Sequence, residues 1–248
     1  MILIMKVSEY DVFVKISLII AILLVIYLFL PYLLTAGLGI GVLKRNDHSE
    51  KIAFTFDDGP NPIYTPQLLD LLKSYHIKAT FFVLGSKAEK YPELIARIHE
   101  EGHLIGMHNY VHRSNWGMSP WAIRCQLNKT AAIIEGITGI RPNYYRPPWG
   151  LLNLFDLLLM KKYRIVHWSV MAEDWRSRGG SEKVKMRLLK NIKKGDVILL
   201  HDCGETWGAD EDAPINTINA LKMVLKEVTN RGLTCVRIDE IETESGDK

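Results

Sequence analysis

Cysteine is scarce in this chain. Three residues in 248, Cys125, Cys203 and Cys235, are an odd number without metal-type spacing. They exclude a disulfide framework and a thiolate metal cage. One bridge plus a free thiol is compatible with them, and three small buried hydrophobes is the reading adopted. Charge of one sign is also missing. Thirty-one basic residues face 28 acidic ones, a formal net charge of +3, and they are scattered, so nucleic acid is not expected as a partner. The chain carries no internal repeat and no low-complexity tract, and 248 residues suffice for one full core. A monomer is expected.

The one long hydrophobic run lies at the N-terminus. From Ile16 to Leu43 no side chain is charged, and "ISLIIAILLVIYLFLPYLL" has no polar face. A membrane span needs about 20 apolar residues to cross roughly 30 Å of hydrocarbon. This run is therefore long enough for one crossing and too short for two, with Pro31 marking a possible interfacial turn. The apolar core is longer than that of a signal peptide, and "LTAG" is a poor cleavage site, which favours an uncleaved anchor. Lys6 and Lys15 precede the run; Lys44, Arg45 and Lys51 follow it. That bias leans slightly towards a cytoplasmic C-terminal domain, but large domains translocate largely regardless of it.

Residues 44–50, "KRNDHSE", read as a polar linker, at about 3.5 Å per residue a reach of some 25 Å. The divisions expected are an anchor and linker over 1–50, a domain over 51–240, and a polar tail over 241–248. Within the domain strands and helices alternate. Strand 52–56 precedes a helix with Thr65 as N-cap, and "KATFFVLG" is a second strand. "YPELIARIHEEG" and "SPWAIRCQLNKTAAIIEGITG" are helices, with "HLIGMH" extended between them. Strand-like "YRIVHWSV", a helix near 182–193, the strand "DVILLHD", a helix near 216–231 and a last strand "LTCVRI" complete the series. Such alternation implies parallel pairing in an α/β fold, whose ligands gather at the carboxyl ends of the strands.

Chemistry-bearing residues collect at those ends. Asp57 and Asp58 follow the first strand, His108 and His112 another, Glu173 and Asp174 a third, His201 and Asp202 a fourth. The i, i+4 spacing of the two histidines puts both imidazoles on one side of a helical turn. With Asp58 they form a three-ligand set suited to a catalytic divalent cation. The cation would relieve the repulsion between adjacent carboxylates and leave Asp57 ionised as a base. The alternative for "DDGP" is an Asx-type turn, with both side chains capping the loop. His48, His76, His99 and His103 have no comparable context and read as surface or linker residues.

"TFDDGP", "HNYVH", "RPPWG", "EDW" and "LLHD", in this order, resemble the five motifs of the polysaccharide deacetylase family (carbohydrate esterase family four, NodB-like domain). The resemblance covers about residues 51–240. It implies a distorted (β/α) barrel behind the single transmembrane helix. It also implies a hydrolase that removes N-acetyl groups from amino sugars of peptidoglycan, chitin or a related glycan. By the same resemblance Asp58, His108 and His112 hold the metal, usually Zn2+, with Co2+, Mn2+ or Ni2+ as alternatives, and water is activated there. Asp57 is the base and His201 the acid. Arg146 holds the base, the backbone of Trp149 after Pro148 stabilises the oxyanion, Leu199 lines an acetyl pocket, and Asp174 with Trp175 supports His201.

Two positions depart from the pattern. Asn109 stands where Ser or Thr is usual, and an amide can still bond a loop backbone. Met171 replaces the first acid of the Asp-x-x-Asp-Trp pattern, which leaves Asp174 to tune His201 alone. The expectation is a single-pass, membrane-anchored enzyme with its domain outside the cytoplasm and an N-acetylated glycan as substrate. The alternatives are a deacetylase or deformylase of a lipid-linked amino sugar and a non-catalytic glycan-binding protein of the same fold.

Overall fold

A computed structural model describes residues 2–243. The apolar run forms a helix, α1 (Ile2–Tyr32), which passes through Pro31 and ends in a π-helical turn at Leu33–Gly37. Pro31 therefore does not stop the helix. Its missing N–H instead leaves the carbonyl four residues earlier without a helical partner.

The rest of the chain alternates as its sequence pattern implies. In order come β1 (Lys51–Asp57), α2 (Tyr64–Ser74), β2 (Thr80–Val83), α3 (Gly85–Lys90), α4 (Pro92–Glu100) and β3 (Leu104–Met107). Then follow α5 (Pro120–Thr138), β4 (Tyr144–Tyr145), α6 (Asp156–Leu159), β5 (Arg164–Ile165), β6 (Val170–Met171), α7 (Gly180–Asn191), β7 (Val197–His201), α8 (Ala213–Asn230), β8 (Thr234–Cys235) and α9 (Ile238–Thr243). The eight strands make one sheet in the order β5-β4-β3-β2-β1-β7-β6, with β8 on the start of β1. All the pairings between these strands are parallel. This is the expected distorted α/β barrel, with β1 at its centre. Phe54, Phe56, Phe81, Leu69 and Ile95 are fully buried between sheet and helices. Every carboxyl end of a strand thus opens towards one rim.

The capping signals explain several boundaries. Ser119 accepts from the Ala122 N–H, with Pro120 opening α5 and left-handed Gly139 closing it. At α2 the expected cap fails: Thr65 lies inside the helix. Asn61 does that work, its Oδ1 accepting from Ile63 and Tyr64 N–H at 2.9 and 3.1 Å. The segment read as one strand at 163–170 is two short strands, because residues 166–169 leave the β5 edge for the β7 side.

The polar stretch after the apolar helix is not a free spacer. Leu43 bridges Val166, and Arg45 bridges Asp196, so the segment lies across the seam between the two sheet edges. Asn46 and Ser49 are buried, and Asn46 donates to the Ile241 carbonyl at 2.6 Å. The tail expected over 241–248 begins inside α9, and residues 244–248 lie outside the described residues. The three thiols are free, but only Cys203 is fully buried; Cys125 is exposed and Cys235 intermediate. His103 is likewise a correction to its surface reading. It is buried, accepts from the Ala79 N–H at 3.0 Å, and burial pushes it down to about 4.

Candidate active site

The first motif answers for its two acids separately. Asp57 ends β1, and Asp58 follows in the left-handed region at φ 74°, which turns the second carboxylate away from the first. Gly59 then passes close to Asp202: a Cβ there would fall 2.3 Å from that carboxylate. Gly59→Ala is therefore expected to lower stability by about 1–3 kcal/mol, the usual cost of overpacking, read as a drop in Tm.

Asp57 belongs to the arginine. Arg146 is completely buried and donates through Nη1 to Asp57 Oδ1 and to Thr55 Oγ1, each at 2.7 Å. Its Nη2 donates to the His167 carbonyl at 2.9 Å, and its guanidinium lies over the Phe82 ring at 4.3 Å. The pair is fixed on one oxygen. Asp57 Oδ2 is left 4.0 Å from His108 Nδ1, beyond hydrogen-bond reach.

Asp58 belongs to the histidines. Its Oδ1 lies 3.3 Å from His108 Nε2 and 3.4 Å from His112 Nε2. All three ligand atoms fall within 4.8 Å of one another. The loop 108–112 is not the helical turn expected. Asn109, in the left-handed region at φ 65°, folds the pair together instead, and donates to the Arg113 carbonyl at 3.2 Å. His108 Nδ1 sits 2.7 Å from the Arg146 carbonyl. That contact assigns the proton to Nδ1 and turns the Nε2 lone pair towards Asp58. Burial would raise Asp58, but the neighbouring imidazoles of His108, His112 and His201 outweigh it and hold the carboxyl well below its usual range. Burial pushes His112 down to about 4.

The donor set fits a divalent cation. Asp58 Oδ1 is buried and makes no hydrogen bond, a cost of about 1–3 kcal/mol for an unpaired polar group and more for a charged one. A cation held between the carboxylate and the two imidazoles would remove that cost. The other Asp58 oxygen accepts from Thr206 Oγ1 at 2.7 Å, which orients the group. Neither aspartate caps the turn.

His201 stands across the same cleft. Asp174 Oδ1 meets its Nδ1 at 2.9 Å, while Asp174 Oδ2 accepts from the His201 N–H at 2.8 Å and Thr217 Oγ1 at 2.9 Å. Burial would lower His201, but Asp174, then Asp58 and Asp57, raise it to about 9. Met171 is 40% exposed on the cleft wall, so it adds no second carboxylate. The cleft, about 410 Å³, is lined by Asp57, Asp58, His108, His112, Trp149 and His201 among others. Leu199 and Trp175 also line it, Pro148 is buried, and the Trp149 ring meets His112 edge-on at 4.2 Å.

The motif reading missed Thr206 and Trp207. They sit on the loop after β7, with Trp207 85% exposed and its ring 6.3 Å from Trp149. It missed a buried layer as well. Asn115 donates to Tyr145 Oη at 2.7 Å and to Asp156 Oδ1 at 2.9 Å, and Tyr145 Oη donates to Asn109 Oδ1 at 3.0 Å. Asparagine in a loop gives no sequence signal for such a network.

The fold and site define an α/β protein with a carboxylate–imidazole cluster, a candidate cation site, in an open cleft. The chain belongs to the polysaccharide deacetylase family. That family's sequence profile matches residues 44–165. The peptidoglycan-N-acetylmuramic acid deacetylase PdaC of Bacillus subtilis is 37% identical over 77% of this chain and 38% of its own length. A peptidoglycan-N-acetylglucosamine deacetylase of Bacillus cereus is 35% identical over 78% of this chain and 89% of its own. The crystal structure of the Bc1960 peptidoglycan N-acetylglucosamine deacetylase superposes with a TM-score of 0.74 at 32% identity, covering 81% of this chain and 91% of that one. The chain thus spans about two fifths of PdaC's length and most of the other two.

Proposed function

We propose that the chain hydrolyses the N-acetyl amide of amino sugars in a cell-wall or surface polysaccharide, held at the membrane by α1. The single observation that carries this reading is the split of two adjacent carboxylates, one on Arg146 and one on the histidine pair. A binding module needs no such division. The names of the relatives point to peptidoglycan glycans.

Asp58, His108 and His112 would hold the divalent cation, and this donor set suits Zn2+. Bound there, the cation would polarise the acetyl carbonyl and lower the pKa of water. Asp57 takes the proton of the attacking water on Oδ2, because Arg146 has fixed Oδ1. The Trp149 backbone N–H stabilises the oxyanion. His201 gives its proton to the departing amine, held by Asp174 with Nδ1 occupied and Nε2 directed to the cleft. Leu199 receives the acetyl methyl and Trp175 packs on the His201 ring at 5.6 Å. The products are acetate and a free amino sugar.

The test is acetate release from N-acetylglucosamine oligosaccharides, with chelator and then metal add-back. Activity lost to the chelator and restored by Zn2+ supports the reading; chelator-insensitive release, or none at any metal, contradicts it. His201 sets the alkaline limb. Its raised pKa keeps the acid protonated, and this contribution fades as pH rises through about 9. Asp174→Asn removes the neighbouring charge, so its alkaline limb is expected at lower pH than wild type under the same metal.

A further inference from the structure

The membrane helix and the domain touch in a way that fixes how deep the domain sits. Pro31 has no N–H for the Tyr27 carbonyl, and the Leu154 N–H takes that place at 2.9 Å. Beside it the Phe29 ring lies 5.3 Å from Trp116, whose indole N–H donates to the Leu152 carbonyl at 3.0 Å. Tyr27 and Leu28 are half-buried, whereas residues 10–26 of the helix are exposed. The domain therefore meets α1 at residue 27.

That meeting point comes early. From Ile16, the first residue after Lys15, to Tyr27 the helix rises only about 18 Å, and from Val12, after Asp11, about 24 Å. The hydrocarbon layer is roughly 30 Å thick. Helix alone does not fill it before the domain begins. The domain surface around Leu154 carries what such a position requires. Leu154, Leu158 and Trp121 are 40%, 62% and 75% exposed. Arg124 lies over the Phe155 ring at 5.7 Å and lines one depression with Leu158 and Lys162; Lys161 is exposed beside them. Leucines for acyl chains, a tryptophan at headgroup level and basic groups for lipid phosphate are the components of an interfacial membrane face.

We infer that this face, formed by Leu154, Leu158, Trp121, Arg124 and Lys162, is seated in the anionic phospholipid bilayer that α1 crosses. The inference rests on the proposed anchor and adds a second, non-spanning contact. Trp149 at the cleft is five residues from Leu154, at most about 18 Å of chain, so the cleft works beside the lipid surface. That position favours glycan still attached to, or lying against, the membrane.

The full chain, reconstituted into phosphatidylglycerol–phosphatidylethanolamine vesicles, tests this. Ile20→Cys, Leu158→Cys or Met186→Cys, each in a Cys125→Ser, Cys235→Ser background, is labelled with bimane and exposed to bromolipid quencher. The expected result is comparable fluorescence loss at 20 and 158 and none at 186, an exposed site on α7. Quenching at 20 alone overturns the embedded face and leaves the anchor standing. No quenching at 20 overturns both. Equal quenching at all three positions contradicts a specific face.

Discussion

Asp57→Asn is expected to cut kcat by about 10²–10⁴, the usual contribution of general acid–base catalysis, while one metal ion per chain remains bound. His201→Ala is expected to do the same. Neither side chain is among the three whose donor atoms converge, so the metal has no reason to leave. Asparagine is the informative replacement at position 57. Its amide oxygen can keep the Arg146 Nη1 contact, now 2.7 Å, whereas alanine strands a fully buried guanidinium, a loss of about 3–5 kcal/mol. An activity assay beside metal analysis of the same preparations reads both quantities. Metal loss equal to the activity loss would mean that Asp57 is a ligand after all.

The complementary pair, Asp58→Ala and His112→Ala, is expected to lose metal and turnover together. Asp58 supplies the only carboxylate of the converging set, and its ionised state is the one a cation needs. His112, pushed down to about 4 by burial, is a neutral imidazole at working pH and pays nothing to shed a proton. Thr206→Val is the graded version. It deletes the hydroxyl that donates to Asp58 Oδ2 and leaves the three donors in place, so metal affinity is expected to fall about 10–100-fold, the range for such supporting contacts. Equilibrium dialysis against Zn2+ at fixed pH separates the three outcomes.

Much of this was legible in the order of the residues. Strand–helix alternation announced a parallel α/β sheet, and the acids and histidines after successive strands announced its working rim. The parts that were not legible share a cause: they depend on backbone conformations or partners distant in sequence. The His108–His112 spacing suits a helical turn, yet Asn109 in the left-handed region makes the same approach from a loop. Thr65 looks like a cap, but Asn61 was better placed and freed Thr65 to meet Asp202 at 2.5 Å. "KRNDHSE" is polar enough for a spacer. Only the gap between the two ends of the sheet, β5 and β6, makes it a seam. Thr206 and Trp207 follow the last motif by a few residues, and nothing local marks them.

The central claim is a cation shared by Asp58, His108 and His112 with Asp57 left outside. Calorimetric titration of Zn2+ into the metal-free full chain addresses it most directly, run on wild type, Asp57→Asn and His112→Ala. One tight site is expected in wild type, the same site in Asp57→Asn, and its loss in His112→Ala. Undiminished binding in His112→Ala, or loss in Asp57→Asn alone, would contradict it.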